Sequence, residues 1–200
     1  MPFLIDKSGS KRRVFWQKSP GSAGVLMLSA LLALGSSTDL RPQGPPATEY
    51  EVKAAFLVNF TRFVEWPASS FPDAAAPLII GILGDDPFGA SLDQMVAGKQ
   101  VLGRPLVVRR WEKIDQVENC QLLFVSAAAD AGLVSEAVEQ FRRAPVLTVS
   151  DADQFNNEGG MIRLVLVENK IRFEINNRTA REAKLKISSR LLSLALRVWE

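Results

Sequence analysis

Residues 77–84 read PLIIGILG. This short stretch decides the fold. It is an unbroken apolar run with no polar alternation, closed by Pro77 and Gly84, and it is too short for a packed helix. A run of this kind suits a strand covered on both faces, and such strands belong to parallel sheets sandwiched between helices. Downstream, DDPFGASLDQMVAG is expected to form a helix, with Asp86 as N-cap and Pro87 at the first helical position. RPLVVRRW and CQLLFVS follow as strands. AGLVSEAVEQFRR is a helix with Leu133, Ala137, Val138 and Phe141 on one side, and APVLTVSD is a further strand. Upstream, TEYEVKAAFLVNFTRFVEW predicts a helix capped by Thr48, with Glu51 completing a capping box and Pro67 ending it. Val52, Ala55, Phe56, Phe60 and Phe63 share one stripe of this helix. Leu57, Val58 and Val64 widen the stripe beyond a simple amphipathic face, so more than one side needs covering.

The C-terminal third changes period. After Gly159-Gly160, the strand Met161–Val167 leads to a tight turn at Asn169, and Ile171, Phe173 and Ile175 then alternate with Lys170, Arg172 and Glu174. That is a hairpin with one buried and one wetter face. A short helix from Asn177, an extended Leu185–Ile187 and a last helix capped by Ser188 complete the chain. The last helix is expected to pack Leu191, Leu192, Ala195, Leu196 and Trp199 on the sheet. The expected fold is therefore a single α/β domain at 49–200. It has a mixed, mostly parallel sheet of about six strands, helices on both faces and a C-terminal antiparallel hairpin.

The first 37 residues read differently. KRRVFWQKS, the apolar run AGVLMLSALLAL and the small residues GSSTD have the order of a secretory signal peptide. The apolar run is shorter than the ~20 residues that span a bilayer. Arg12-Arg13 followed by Val14-Phe15-Trp16 is similar to a twin-arginine signal, although Lys11 stands where that pattern prefers a hydroxyl; Sec export remains the alternative. Either route places the mature chain outside the cytoplasmic membrane, in a periplasm. Residues 38–48 form a Pro/Gly-rich linker. The leader contributes +4 of the formal net charge of +2, which leaves the rest at −2 and gives no electrostatic reason to bind nucleic acid.

The chain contains no histidine, the commonest general base and metal ligand at neutral pH. Its single cysteine, Cys120, excludes an internal disulfide and a cysteine-rich zinc site. No catalytic residue, metal or cofactor is expected. A hydrolase using Asp85 or Asp151 ranks last. Gly84-Asp85-Asp86 lies at the usual ligand edge of an open α/β sheet and offers two carboxylates to Mg²⁺, but such a cation needs several oxygen ligands, and a capping role for Asp86 suffices. Glu158-Gly159-Gly160 reads either as an anion-holding nest or as a glycine pair chosen for positive φ and close packing. Arg172, Glu174, Asn176 and Lys186 are either a solvated ladder or part of a recognition surface. Around the end of the first helix, Arg62, Phe63 and Trp66 combine core aromatics with interface character.

VKAAFLVNFTRFVEWP, GILGDDPFG, PVLTVSD, GGMIRLVLVENKIRFEIN and LKISSRLLSLA together resemble the YfiR family over about residues 49–198. The resemblance implies an exported α/β domain, often dimeric. Such a domain docks on the periplasmic sensor region of a membrane-bound diguanylate cyclase, keeps it inactive, and so acts on cyclic-di-GMP, biofilm and motility. It also lends weight to the surface around Glu158 and Ile162 as a contact region. Two departures stand out. Lys184 occupies a position where the family usually has glycine, and Cys120 lacks the partner cysteine that makes other members redox-sensitive. The alternative class of function is a periplasmic small-ligand receptor feeding a membrane kinase or cyclase.

Overall fold

The computed structural model describes residues 47–200; the expected signal peptide and all but the end of the linker lie outside the described residues. The expected α/β architecture is present. Helix α1 (Glu49–Phe63) opens with the Thr48 capping box: Thr48 Oγ1 accepts from the Glu51 amide, and the Glu51 carboxylate accepts from the Thr48 amide. The helix stops at Phe63 rather than running on to Pro67. Val64–Glu65 instead forms strand β1, antiparallel to β9 (Lys186–Ile187). A β-branched residue and the exclusion of helix before proline favour that early exit.

The main sheet has eight strands. β2 (Leu78–Leu83), β4 (Arg104–Trp111), β5 (Leu122–Val125), β6 (Leu147–Ser150) and β7 (Ile162–Val167) run parallel; β8 (Lys170–Asn176) returns antiparallel to β7. Two two-residue edges bring the number above the six expected: β3 (Gln100–Val101), hairpinned to β4, and β10 (Val198–Trp199), parallel to β8. The order is β10-β8-β7-β6-β5-β2-β4-β3, so the chain reverses its direction of travel between β2 and β5. Every residue of β2 is buried, as an unbroken apolar run requires.

Alternate side chains of the central strands feed two cores. Ile80, Ile82, Leu122, Phe124, Leu164, Phe173 and Ile175 meet α1, α2 (Ala90–Val96), α5 (Asn177–Glu182) and α6 (Ser189–Leu192). Leu83, Leu123 and Val125 meet α3 (Ala131–Phe141) and α4 (Phe155–Glu158) on the opposite face. The hairpin turn has Glu168 at φ 48° and Asn169 at φ 61°, the paired positive dihedrals of a type I′ turn.

Three local expectations are corrected. Asp86 does not cap α2, which begins at Ala90 behind Gly89; its Oδ1 accepts from the Phe88 amide and closes a turn around Pro87. The buried stripe of α1 is Lys53, Ala54, Leu57, Val58, Phe60 and Thr61, shifted about one position from the predicted one, and this leaves Val52, Phe56 and Phe63 only half-buried. Ser188 does cap the last helix, but α6 ends at Leu192. The chain then crosses to the open edge of β8, where the Leu196 amide donates to Phe173 O and the Ile175 amide to Arg197 O. Pairing with an unfilled strand edge satisfies backbone groups that a longer helix would leave open. Leu194 and Leu196 are exposed as a result.

Candidate functional site

The outward side of α1 and the β7–β8 hairpin enclose a largely apolar depression with a volume of about 490 Å³. Val52 and Phe56 form one wall, Leu166 and Ile171 the other, and Glu49 and Lys170 stand on the rim. Phe56 is seated by a tilted contact with Phe60 (5.8 Å between ring centres) and an edge contact with Phe173 (5.6 Å), and stays only partly exposed. Leu166 is 56% exposed and Val167 41%, in a strand whose other apolar side chains are packed. A seated aromatic beside exposed aliphatics is a combination common at protein–protein interfaces.

The residues singled out from sequence fall into three groups. Around the far end of α1, Arg62 is exposed, and Phe63 is half-buried beneath the Arg190 guanidinium at 5.8 Å. Trp66 donates its indole N–H to Gln121 O at 2.9 Å, and Lys186 is exposed on β9 opposite Glu65. Beside α4, the Glu158 carboxylate accepts from Ser135 Oγ at 3.1 Å, and its carbonyl accepts from Arg142 at 2.9 Å. On the hairpin, Arg172 is exposed, while Glu174 faces Arg163 at 3.4 Å. The other two serve the interior. Ile162 is fully buried in the core. Asn176 is 3% exposed, caps α5 by accepting from the Thr179 amide and donates to Asn156 O. The four-residue cluster suggested by Arg172, Glu174, Asn176 and Lys186 does not form, because Lys186 lies on the separate β1–β9 ribbon.

The ends of the parallel strands are closed off. Phe88, 4% exposed, packs edge-on against Phe124 at 4.8 Å, and Tyr50 of α1 packs on Phe88 at 5.8 Å. This fills the crevice between β2 and β5 where a ligand usually sits in an open α/β sheet. Asp86 is engaged by Arg110 at 2.6 Å, Asp85 is exposed, and the described residues contain no group of three acidic or thiol side chains able to hold a metal. The glycine pair is structural. Gly159 has φ 112°, a Cβ on Gly160 would sit 2.3 Å from the Phe155 ring, and the two amides donate to carbonyls of α4.

One feature escaped the sequence reading. Lys53 is almost wholly buried, and its ammonium lies 2.5 Å from Asp151 and 2.6 Å from Glu49. Asp151 also accepts from the Ala127 amide at 2.7 Å, so a single carboxylate ties α1 to β6 and to the loop after β5. Burial pulls the Lys53 ammonium down, but its hydrogen bonds to Asp151 and Glu49 outweigh this and hold it above the ordinary lysine value. The sequence signal was a lysine inside an otherwise apolar helical stripe, four residues after a glutamate. On the opposite core, Cys120 is 6% exposed, and burial pushes its thiol up to about 12.

No curated protein matches the chain. The family model for YfiR/HmsC-like proteins matches residues 50–196, that is, from the first turn of α1 through the run beyond α6. With that match, the chain belongs to the YfiR/HmsC-like family.

Proposed function

We propose that this protein works in the periplasm as an exported repressor that docks on the sensor domain of a membrane-bound diguanylate cyclase and holds it inactive, lowering cyclic-di-GMP. The reading rests on family membership, which at its own level supports a regulatory, non-catalytic protein of cyclic-di-GMP signalling. The apolar depression between α1 and the hairpin, where exposed Leu166 and Val167 stand beside partly buried Val52 and Phe56, is the observation that supports docking in particular. Repression then means binding one conformation of the cyclase better than the other, since a partner shifts an equilibrium only by its differential affinity. A second zone, the partly buried Phe63 beneath Arg190, is offered to a second copy in a homodimer.

The test captures the exported protein with its cyclase from membranes. Phe56→Asp combined with Leu166→Asp is expected to weaken capture at least tenfold and to raise cellular cyclic-di-GMP to the level of a gene deletion, with the circular-dichroism spectrum unchanged. Undiminished capture by that variant, or an unaltered cyclic-di-GMP level in the deletion strain, would count against the reading.

A further inference from the structure

We propose that the outer edge of β4 is a self-association site, at which a second copy of this chain adds its own β4, antiparallel about Val108. The proposal goes beyond the docking reading and stands without it, and none of its residues belongs to the Phe63–Arg190 zone. β4 runs from Arg104 to Trp111, but its outer neighbour β3 reaches only Arg104 and Pro105. Past those two residues, β4 is itself the edge of the sheet.

Backbone groups alternate in direction along a strand. The Gly84 amide donates to Trp111 O at 2.8 Å, so Val107, Arg109 and Trp111 turn their backbone groups toward β2. The Leu106 amide donates to Lys99 O at 3.0 Å, so Leu106, Val108 and Arg110 turn theirs outward. Among the described residues, Leu106 O and both backbone groups of Val108 and of Arg110 have no partner. Val107 and Val108 are only half-buried, and Arg109 and Arg110 are exposed, so another chain can reach this edge. Such an edge is a template for a further strand.

The free window is complementary to itself. With Val108 opposite Val108 of the second copy, the two residues exchange both amide–carbonyl bonds. Each Arg110 amide then reaches Leu106 O of the other copy, and only Arg110 O is left over, because the Leu106 amide is already spent on Lys99. Charge selects this register. Arg109 falls opposite Val107 of the second copy, whereas pairing centred on Arg109 sets two arginines face to face, which is destabilising. Arginines ordinarily blunt a sheet edge, but here they are engaged within the chain. Arg110 is held by Asp86 at 2.6 Å and Asp93 at 2.7 Å, and Arg109 leans toward Glu118 at 3.5 Å. The β-branched Val108 pair adds a favourable cross-strand contact.

The experiment follows amide hydrogen exchange of the exported protein by ¹H–¹⁵N spectra at about 50 μM and about 1 mM, a range suited to a small contact. The Val108 and Arg110 amides are expected to exchange at least about tenfold more slowly at the higher concentration. The Val107 and Arg109 amides, turned toward β2 within one chain, are expected to stay protected at both. Val108→Pro removes an outward amide that no bond of the single chain uses, and is expected to abolish the concentration dependence at Arg110 with the circular-dichroism spectrum unchanged. Val107→Arg leaves the backbone intact but sets two arginines opposite each other in the proposed register, and is expected to weaken the association at least about tenfold. Exchange at Val108 and Arg110 that ignores concentration overturns the proposal, as does protection that survives Val107→Arg. Protection that appears only when membranes carrying the cyclase are added also overturns it, since the added strand is then not a second copy.

Discussion

Lys184 follows α5 with φ 63°, a left-handed conformation that costs a side-chain-bearing residue roughly 1 kcal/mol. Its amide donates to Arg181 O at 2.9 Å and the next amide to Ala180 O, so the strained residue closes the helix and turns the chain into β9. Lys184→Gly is accordingly expected to raise stability by about 0.5–1 kcal/mol in urea unfolding, with an unchanged m-value. Cys120 makes a prediction of the opposite kind, an absence of reaction. With a buried thiol pushed up to about 12, the thiolate population near neutral pH is negligible. The native protein is expected to leave a thiol reagent such as dithionitrobenzoate unconsumed at pH 8, and to consume one equivalent after denaturation. Rapid labelling of the folded chain would contradict the burial of Cys120.

At the scale of elements, the decisive joint is the one that α1 makes with β6. Both charges of the Lys53–Asp151 pair are within a few per cent of complete burial, so removing one leaves the other unpaired in the interior. Asp151→Asn keeps the size and the acceptor for the Ala127 amide but removes the charge. It is expected to cost about 3 kcal/mol, at the low end for a broken buried pair because Glu49 still faces the lysine. The sign with pH follows from the raised Lys53 value. This contribution is fully present below the unfolded lysine value of 10.5 and is lost only as the pH climbs above it through the folded value. Unfolding curves from pH 6 to 11 should therefore show the wild type and Asp151→Asn converging only at the alkaline end. Since Val52 and Phe56 lie on the same helix as Lys53, the joint also sets the position of the apolar depression they line. α1 is thus held by charge on its inner side and presents aromatic surface on its outer side.

At the scale of the molecule, periodicity revealed far more of the frame than of the working surface. The buried run at 78–83, the Thr48 capping box, the hairpin with its left-handed Asn169 and the helix from Asn177 were all legible, because each depends on neighbours a few residues away. The α6–β10 region was misread for the converse reason. Whether Leu194 and Leu196 continue a helix depends on an open edge of β8 more than twenty residues earlier in the chain. The same limit applied to the sites. Arg62, Phe63, Arg172 and Lys186 could be recognised as surface candidates from residue type, whereas the burial of Ile162 and Asn176 follows from which sheet face each strand turns inward. Lys53–Asp151 joins residues almost a hundred positions apart and left only a misplaced lysine as its trace in sequence.

By itself, the sequence determined the order of strands and helices, the buried character of the central strand, the absence of histidine chemistry and the family resemblance. Those follow from local dihedral preference, hydrophobic period and the functional groups the chain carries. Tertiary structure decided which half of the first helix faces solvent, how the strand-end crevice is filled, and which backbone groups of β4 stay unpaired. Each of these turns on the packing of segments distant in the chain, where burial and pairing are settled by the neighbours that arrive rather than by the residues alone.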